Sequence, residues 1–205
     1  CLTCSNGGRT DCLSCNTAVS NYKYYWADSK TCTSSCPEGS YLENPLTDII
    51  CKTCHASCLS CSGGAENNRC DTCKIKGDFP YFTPELRTCT PNCIQGYYES
   101  DSTKKLCSPC HSSCYTCSGG HLSTNCDSCD LSSQLSFYYV NLRTCLTSCP
   151  IKTYLQDASK KICFKCHEEC LSCDGVNRNN CLKCDVENPK YAFYSESTRI
   201  CIDKC

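Results

Sequence analysis

The 205-residue chain has no methionine and one tryptophan, and its Leu, Ile, Val and Phe together number only 32, about 16% of the residues. Chains below ~20% in those four types are usually too poor in large apolar side chains to build an ordinary core. This excludes a Rossmann domain, a TIM barrel and a helix bundle. No run approaches the ~18 apolar residues of a membrane-spanning helix, so no membrane span lies in this segment. Neither sign of charge is in excess: 20 Lys and Arg face 21 Asp and Glu, for a net charge of −1. That excludes a basic nucleic-acid binder, so nucleic acid is not an expected partner. There is no Asn-x-Ser/Thr sequon; the near misses end in cysteine, at Asn68-Arg69-Cys70 and Asn179-Asn180-Cys181. Ordinary N-glycosylation is not expected, and O-linked glycans on Ser and Thr stay open. Sustained helical periodicity and Pro/Ser-rich linkers are both absent.

Cysteine is what the chain has. Thirty of the 205 residues are cysteine, well above the ~8–10% of a disulfide scaffold. Covalent bonds or metal must therefore do what a core cannot. Thirty regularly spaced thiols would be oxidised outside the cell and kept reduced inside it, which predicts an extracellular or lumenal protein. The chain opens on Cys1 without Met, which predicts a processed product or a segment of a longer one.

The cysteines repeat every 56 residues, from Cys51 to Cys107 to Cys163. The first two units share every offset: Cys51, Cys54, Cys58, Cys61, Cys70, Cys73, Cys89 and Cys93, then Cys107, Cys110, Cys114, Cys117, Cys126, Cys129, Cys145 and Cys149. The third runs Cys163, Cys166, Cys170, Cys173, Cys181, Cys184, Cys201 and Cys205, with one residue deleted and later restored. Cys1, Cys4, Cys12, Cys15, Cys32 and Cys36 fit the frame if Cys1 is a third cysteine, and all thirty are then used. The domains read as a partial repeat over 1–50, full repeats over 51–106 and 107–162, and a repeat over 163–205 truncated at its end.

Other residues keep the period. Adjacent aromatics precede the seventh cysteine: Tyr24-Tyr25, Tyr81-Phe82, Phe137-Tyr138 and Phe193-Tyr194. A basic residue lies two before it (Lys30, Arg87, Arg143, Arg199), and a tyrosine five after the eighth (Tyr41, Tyr98, Tyr154). Ile50, Leu106 and Ile162 precede the first cysteine, and His55, His111 and His167 follow the second. Locally, stretches such as Tyr22–Cys32 and Ser136–Cys145 read as strand, turn, strand. Each unit is too small to bury a face alone, so neighbours must stack. The predicted fold class is small, disulfide-rich and all-β: tandem 56-residue repeats of short β-hairpins stacked into an elongated rod, with little or no helix.

Three chemistries compete for the cysteines. Cys51–His55, Cys107–His111 and Cys163–His167 each match the C-x-x-C-H pattern of haem attachment. Three haems would need distal ligands, with only His121 and no Met to supply them, and twenty-four cysteines would stay unexplained. Zinc could use some of the eleven C-x-x-C pairs, but consecutive pairs overlap and the seventh and eighth cysteines fit no finger. The run C-x2-C-x3-C-x2-C is not a ferredoxin spacing. Disulfides explain the even count per unit, the secreted setting and the missing core together. Accordingly no cofactor and no metal is expected. Spacing alone leaves all ~105 pairings of eight cysteines open.

The stretches "CHASCLSCSGG", "CDTC", "CTPNCIQGYY" and "CSPC" resemble the furin-like repeat, a module of growth-factor receptors, furin-type proprotein convertases and R-spondins. Large cysteine-repeat surface proteins of protists, ciliates especially, carry it in tandem. The resemblance covers the whole chain. It lends the module only, because no catalytic, kinase or Leu-rich receptor domain is present. The family's pairing is second to fourth, third to fifth, sixth to seventh, and eighth to the next first. Carried over, it implies Cys1–Cys12, Cys15–Cys32 and Cys36–Cys51; Cys54–Cys61, Cys58–Cys70, Cys73–Cys89 and Cys93–Cys107; Cys110–Cys117, Cys114–Cys126, Cys129–Cys145 and Cys149–Cys163; and Cys166–Cys173, Cys170–Cys181 and Cys184–Cys201. Loops of roughly 8 to 17 residues would each contribute on the order of 2–3 kcal/mol. Cys4 and Cys205 are left unpaired within the chain, which predicts a segment of a longer array.

The aromatic pairs are a candidate contact surface, comprising Tyr24, Tyr25, Trp26, Tyr81, Phe82, Phe137, Tyr138, Phe193 and Tyr194. Adjacent strand residues point to opposite faces, so one ring of each pair is expected to pack on a disulfide and the other to face out. Trp26 is the expected exposed anchor. The recurring basic residue reads as a solvated charge or a cation–π partner. The histidines read as structural hydrogen-bonders, and the C-x-x-C pairs as structural and not redox-active. No nucleophile, base and orienting group come together, so the chain is not expected to be an enzyme. The function that emerges is a non-enzymatic extracellular structural protein, a disulfide-laddered rod in a cell-surface coat or extracellular fibre. Its partners would be proteins, through self-association or neighbouring repeats. The alternative is a cysteine-rich ectodomain of a receptor or secreted ligand that binds or positions a protein partner. A haem redox protein stands third.

Overall fold

The computed structural model describes residues 1–18, 21–44, 48–187 and 189–203. Short strands and tight turns make up nearly all of it, with four single 3₁₀ turns at Asn67–Arg69, Val140–Leu142, Arg178–Asn180 and Pro189–Tyr191. No α-helix occurs among the described residues. The chain divides into two compact units, Cys1–Ile94 with Glu99–Ser108, and Gln95–Tyr98 with Pro109–Cys205.

Two local designs alternate. The first is a two-stranded ladder whose strands begin and end on cysteine, as in Cys58–Cys61 against Cys70–Cys73 and Cys170–Cys173 against Cys181–Cys184. The second is a sheet built on an aromatic hairpin. In the first unit Tyr24–Trp26 pairs antiparallel with Thr31–Thr33 and parallel with Asp48–Thr53, with Tyr25 beside Cys32 on one edge and Ile50 on the other. In the second, Phe137–Tyr139 pairs with Thr144–Leu146 and, in parallel, with Ile162–Lys165. The recurring aliphatic before each first cysteine is therefore the parallel neighbour of the aromatic strand: Ile50 opposes Tyr25, Leu106 opposes Phe82 and Ile162 opposes Tyr138.

The core is sulfur. Every buried hydrophobic residue among those described is a cysteine. Cys54, Cys58, Cys61, Cys70, Cys73 and Cys89 form one cluster, with Tyr41 and Phe82 against it. Cys114, Cys117, Cys126, Cys129 and Cys145 form a second, with Tyr98 and Tyr138. The third gathers Cys166, Cys170, Cys173, Cys181, Cys184 and Cys201, with Tyr154 and Tyr191. Cystine is compact, apolar and already constrained, so a chain with few large aliphatics can fill its interior with it.

Candidate functional site

Fourteen disulfides run along the described residues. The first repeat holds Cys1–Cys12, Cys15–Cys32 and Cys36–Cys51. The second holds Cys54–Cys61, Cys58–Cys70, Cys73–Cys89 and Cys93–Cys107. Cys110–Cys117, Cys114–Cys126, Cys129–Cys145 and Cys149–Cys163 follow, then Cys166–Cys173, Cys170–Cys181 and Cys184–Cys201. Cys4 is a free, exposed thiol, and Cys205 lies outside the described residues. The sulfurs of Cys1, Cys12 and Cys32 lie within 4.8 Å of one another. All three are bonded in disulfides, so they are not the thiolates a metal would take.

The joint between successive repeats recurs with the same parts. The tyrosine five residues past each eighth cysteine leaves its own repeat and packs on the next cystine cluster, Tyr41 on the first, Tyr98 on the second and Tyr154 on the third. Beside it, the second cysteine of the new repeat donates its N–H back across the boundary: Cys54 to the Gly39 carbonyl at 2.8 Å, Cys110 to Gly96 at 2.8 Å and Cys166 to Lys152 at 2.9 Å. Each acceptor has positive φ, +76° and +81° at the glycines and +61° at Lys152. That conformation turns the carbonyl toward the incoming strand and is free of steric cost only in glycine.

Among the described residues, the other non-glycine residues with positive φ are also all Lys or Arg: Lys30, Arg87, Lys105, Arg143, Lys161 and Arg199. The carbonyls of the first five close the hairpins onto neighbouring strands. Lys30 accepts from Cys12 at 3.0 Å, Arg87 from Cys70 at 3.0 Å and Arg143 from Cys126 at 2.9 Å, while Lys105 accepts from Phe82 at 2.8 Å and Lys161 from Tyr138 at 2.9 Å. The long cationic side chains then reach back over the fold. Arg87 donates to the Ser62 hydroxyl at 2.6 Å and pairs with Asp71. Arg143 repeats this on Ser118 at 2.7 Å and on Asp127; the hydrogen bond to Asp127 raises its pKa. Arg199 takes Asp174 at 2.7 Å. The arginine before the seventh cysteine is thus a staple over the loop between the fourth and fifth cysteines. Sequence reasoning missed it, although Ser62 with Asp71 and Ser118 with Asp127 recur at the unit period. Cation–π contacts come from other residues: Lys105 over Tyr81 at 4.9 Å, Lys161 over Phe137 at 5.4 Å and Lys23 over Tyr24 at 5.5 Å.

Within the aromatic pairs the second ring lies opposite the seventh cysteine: Tyr25 by Cys32, Phe82 by Cys89, Tyr138 by Cys145 and Tyr194 by Cys201. The Tyr138 and Tyr194 hydroxyls donate to the carbonyls of Cys126 at 3.0 Å and Cys181 at 3.1 Å. Phe193 and Tyr194 are the most exposed of the candidate rings. Trp26, expected as the exposed anchor, is half-buried, because its strand lies between two neighbours that place Thr31 and Cys51 beside it. The histidines cap turns: His55 and His111 each hold the hydroxyl of the serine two residues on, Ser57 and Ser113, at 2.8 Å.

Within the second compact unit, Tyr115, Leu131, Tyr138, Ile162 and Phe164 line a groove of about 580 Å³. Three charged residues also line it. Asp127 is paired with Arg143, and Lys160 faces Asp157 at 3.9 Å. Asp130 has no ion-pair partner among the described residues; the Ser132 hydroxyl and amide hold its carboxyl below the usual range. At the positions of Tyr115 and Phe164 the preceding repeat carries Leu59 and Ser108.

No family model matches the chain. It is 29% identical to Furin-like protease 2 of Drosophila melanogaster over 98% of its length, 10% of that protein. It is 34% identical to Extracellular matrix organizing protein FRAS1 of Homo sapiens over 84% of its length, 4% of that protein. To Cysteine repeat modular protein 2 of Tetrahymena thermophila it is 28% identical over 78% of its length, 9% of that protein. The chain thus spans a tenth or less of the length of these relatives. The similarity lies in their cysteine-rich region and not in a protease catalytic domain. The disulfide frame belongs to the oxidising extracellular space, and no helix among the described residues is long and apolar enough to cross a membrane. The chain is a tandem run of furin-like cysteine-rich repeats.

Proposed function

We propose that this run of repeats is a non-enzymatic structural element, a disulfide-laddered rod that serves a cell-surface coat or an extracellular fibre. Its units are the repeats 51–106 and 107–162 with the partial ones at 1–50 and 163–205. The observation that carries the reading is the recurring joint. A tyrosine on the next cystine cluster and a cysteine N–H on a left-handed carbonyl come back at Tyr41 with Gly39, Tyr98 with Gly96 and Tyr154 with Lys152. Repeats joined by the same contacts propagate a structure in one direction. The partners proposed are other copies or neighbouring repeats, with O-linked glycans on exposed Ser and Thr.

Electron microscopy of the native material, beside reducing and non-reducing mass spectra, tests this. Fibres or a continuous layer with protected cystines are expected. Monodisperse monomers that bind one soluble protein tightly would replace this reading with the ectodomain alternative, in which the repeats position a protein partner.

A further inference from the structure

The groove and an exposed turn elsewhere in the chain carry complementary features, a carboxylate beside an apolar hollow and an aliphatic side chain between lysines. The positions of Asp130, Leu131 and Ser132 in the groove correspond, one repeat earlier, to Lys74, Ile75 and Lys76. There the Gly77 N–H closes a turn onto the Lys74 carbonyl at 2.8 Å. Ile75 stands at the tip, 55% exposed. Lys74 and Lys76 flank it, both exposed, and no acidic partner is found for either among the described residues. The turn therefore presents one aliphatic knob between two free cations. The groove presents an apolar hollow with one carboxylate, Asp130, for which no ion-pair partner is found among the described residues.

We propose that the Lys74–Lys76 turn of one copy docks in the Tyr115–Leu131–Phe164 groove of a second copy, with Ile75 in the hollow and its flanking lysines toward Asp130. This rests on the structural reading above and names its partner as the chain itself. Groove and knob are different surfaces, so the contact is heterologous. It leaves a free knob at one end and a free groove at the other, and a contact of this type adds copies until it closes a ring or runs on as a filament. Charge steers the encounter and the apolar knob holds it, so assembly weakens as salt is raised.

The test is sedimentation velocity of the full 205-residue chain over a concentration series, in a background with both Cys4→Ser and Cys205→Ser, which excludes intermolecular disulfides. The chain is expected to assemble beyond the dimer as concentration rises. Ile75→Asp removes the knob and Leu131→Asp the groove. Both side chains are exposed, so both variants keep the fold, checked by native disulfide mapping. Each alone is expected to raise the dissociation constant about tenfold or more. Mixed, they are expected to form one-to-one dimers, because each retains the half the other lost. A monomeric parent at every concentration overturns the proposal, as does Ile75→Asp assembling like the parent, or a mixture that stays monomeric. Electron microscopy of the native material separates this from the structural reading: fibres that persist with Ile75→Asp sink the docking contact and leave that reading standing.

Discussion

Lys152 occupies a position that the two preceding repeats give to glycine, and the consequence can be worked out. The turn after the eighth cysteine reads Cys36-Pro-Glu-Gly39, Cys93-Ile-Gln-Gly96 and Cys149-Pro-Ile-Lys152. At φ +61° Lys152 carries the left-handed backbone with a Cβ, a cost of about 1 kcal/mol relative to glycine. Its ammonium pairs with Asp185, whose side chain is only 8% exposed. The strain is thus kept for an ion pair onto a buried carboxylate. Lys152→Ala keeps the strain and strands Asp185, which costs about 1–3 kcal/mol. Lys152→Gly strands it too but relieves the strain, so its loss is smaller by about 1 kcal/mol. The ranking is wild type, then Gly, then Ala. Combined with Asp185→Asn, which removes the charge in need of a partner, Lys152→Gly no longer costs stability and instead gains up to the about 1 kcal/mol of relieved strain over Asp185→Asn alone. Thermal unfolding with disulfides intact reads this at roughly 2–4 °C per kcal/mol. Hydrogen exchange at the Cys166 amide, bonded to the Lys152 carbonyl at 2.9 Å, reports the same joint locally. Lys152→Gly as harmful as Lys152→Ala would refute the strain argument, and an Asp185→Asn background that leaves the loss unchanged would refute the ion pair.

Complete reduction should abolish the fold, since the buried apolar residues are cystines; β-sheet circular dichroism retained after reduction and alkylation would contradict a sulfur core. Loss of Cys58–Cys70, both residues at or below 2% exposure, by a paired change to alanine should cost at least the ~3 kcal/mol of its loop closure, and peptide mapping without reduction checks the pairing itself. The Asp101 and Asp157 carboxyls are held below their usual 3.8, by the amide of Lys104 first at Asp101 and by the Ser159 hydroxyl first at Asp157. A depressed folded pKa stabilises above the unfolded value, so these turns are intact above pH 3.8 and loosen only as pH falls below it; amide shifts of Thr103 and Ser159 that move between pH 5 and 7 would contradict this. Tyr98→Ala should lower the melting temperature more than Tyr115→Ala, because Tyr98 packs on a cystine cluster and Tyr115 lines an open groove.

The repeat, the all-β character and the hairpin positions were legible because each is local. Cysteine offsets survive in one dimension, and Tyr81-Phe82 or Phe137-Tyr138 before a turn is a strand signal wherever it falls. What depends on a partner elsewhere in the chain was not. The constant aliphatic at Ile50, Leu106 and Ile162 was visible as a position, but that it lies parallel to the aromatic strand follows only from tertiary pairing. Tyr41, Tyr98 and Tyr154 were visible as a period, and their packing on the following cystine cluster was not. Cysteine pairing came from family resemblance, since spacing treats every loop of similar length alike. The groove had no signal in the frame at all, because it arises where the repeat is broken, at Tyr115 and Phe164.

The left-handed basic residues explain how so small a unit is closed with so little core. A hairpin of three-residue strands has few ladder hydrogen bonds, as in Tyr81–Thr83 against Thr88–Thr90, and an isolated one is marginal in water. A left-handed residue just before a strand turns a carbonyl that would otherwise face solvent toward the neighbouring strand, where Cys70 takes that of Arg87 and Cys126 that of Arg143. Glycine would permit the turn but bring nothing else. Arginine at the same place adds a reach across to Ser62 and Asp71, or to Ser118 and Asp127, and so ties the loop that the disulfides leave open between the fourth and fifth cysteines. The basic residue two before the seventh cysteine is therefore a backbone requirement and a side-chain staple met by one residue. Arg143→Gly should free the loop at Ser118 while keeping the Cys126 amide protected, and Arg143→Ala should loosen both. Equal protection of the Cys126 amide in the two variants would show that the left-handed turn has no part in closing the repeat.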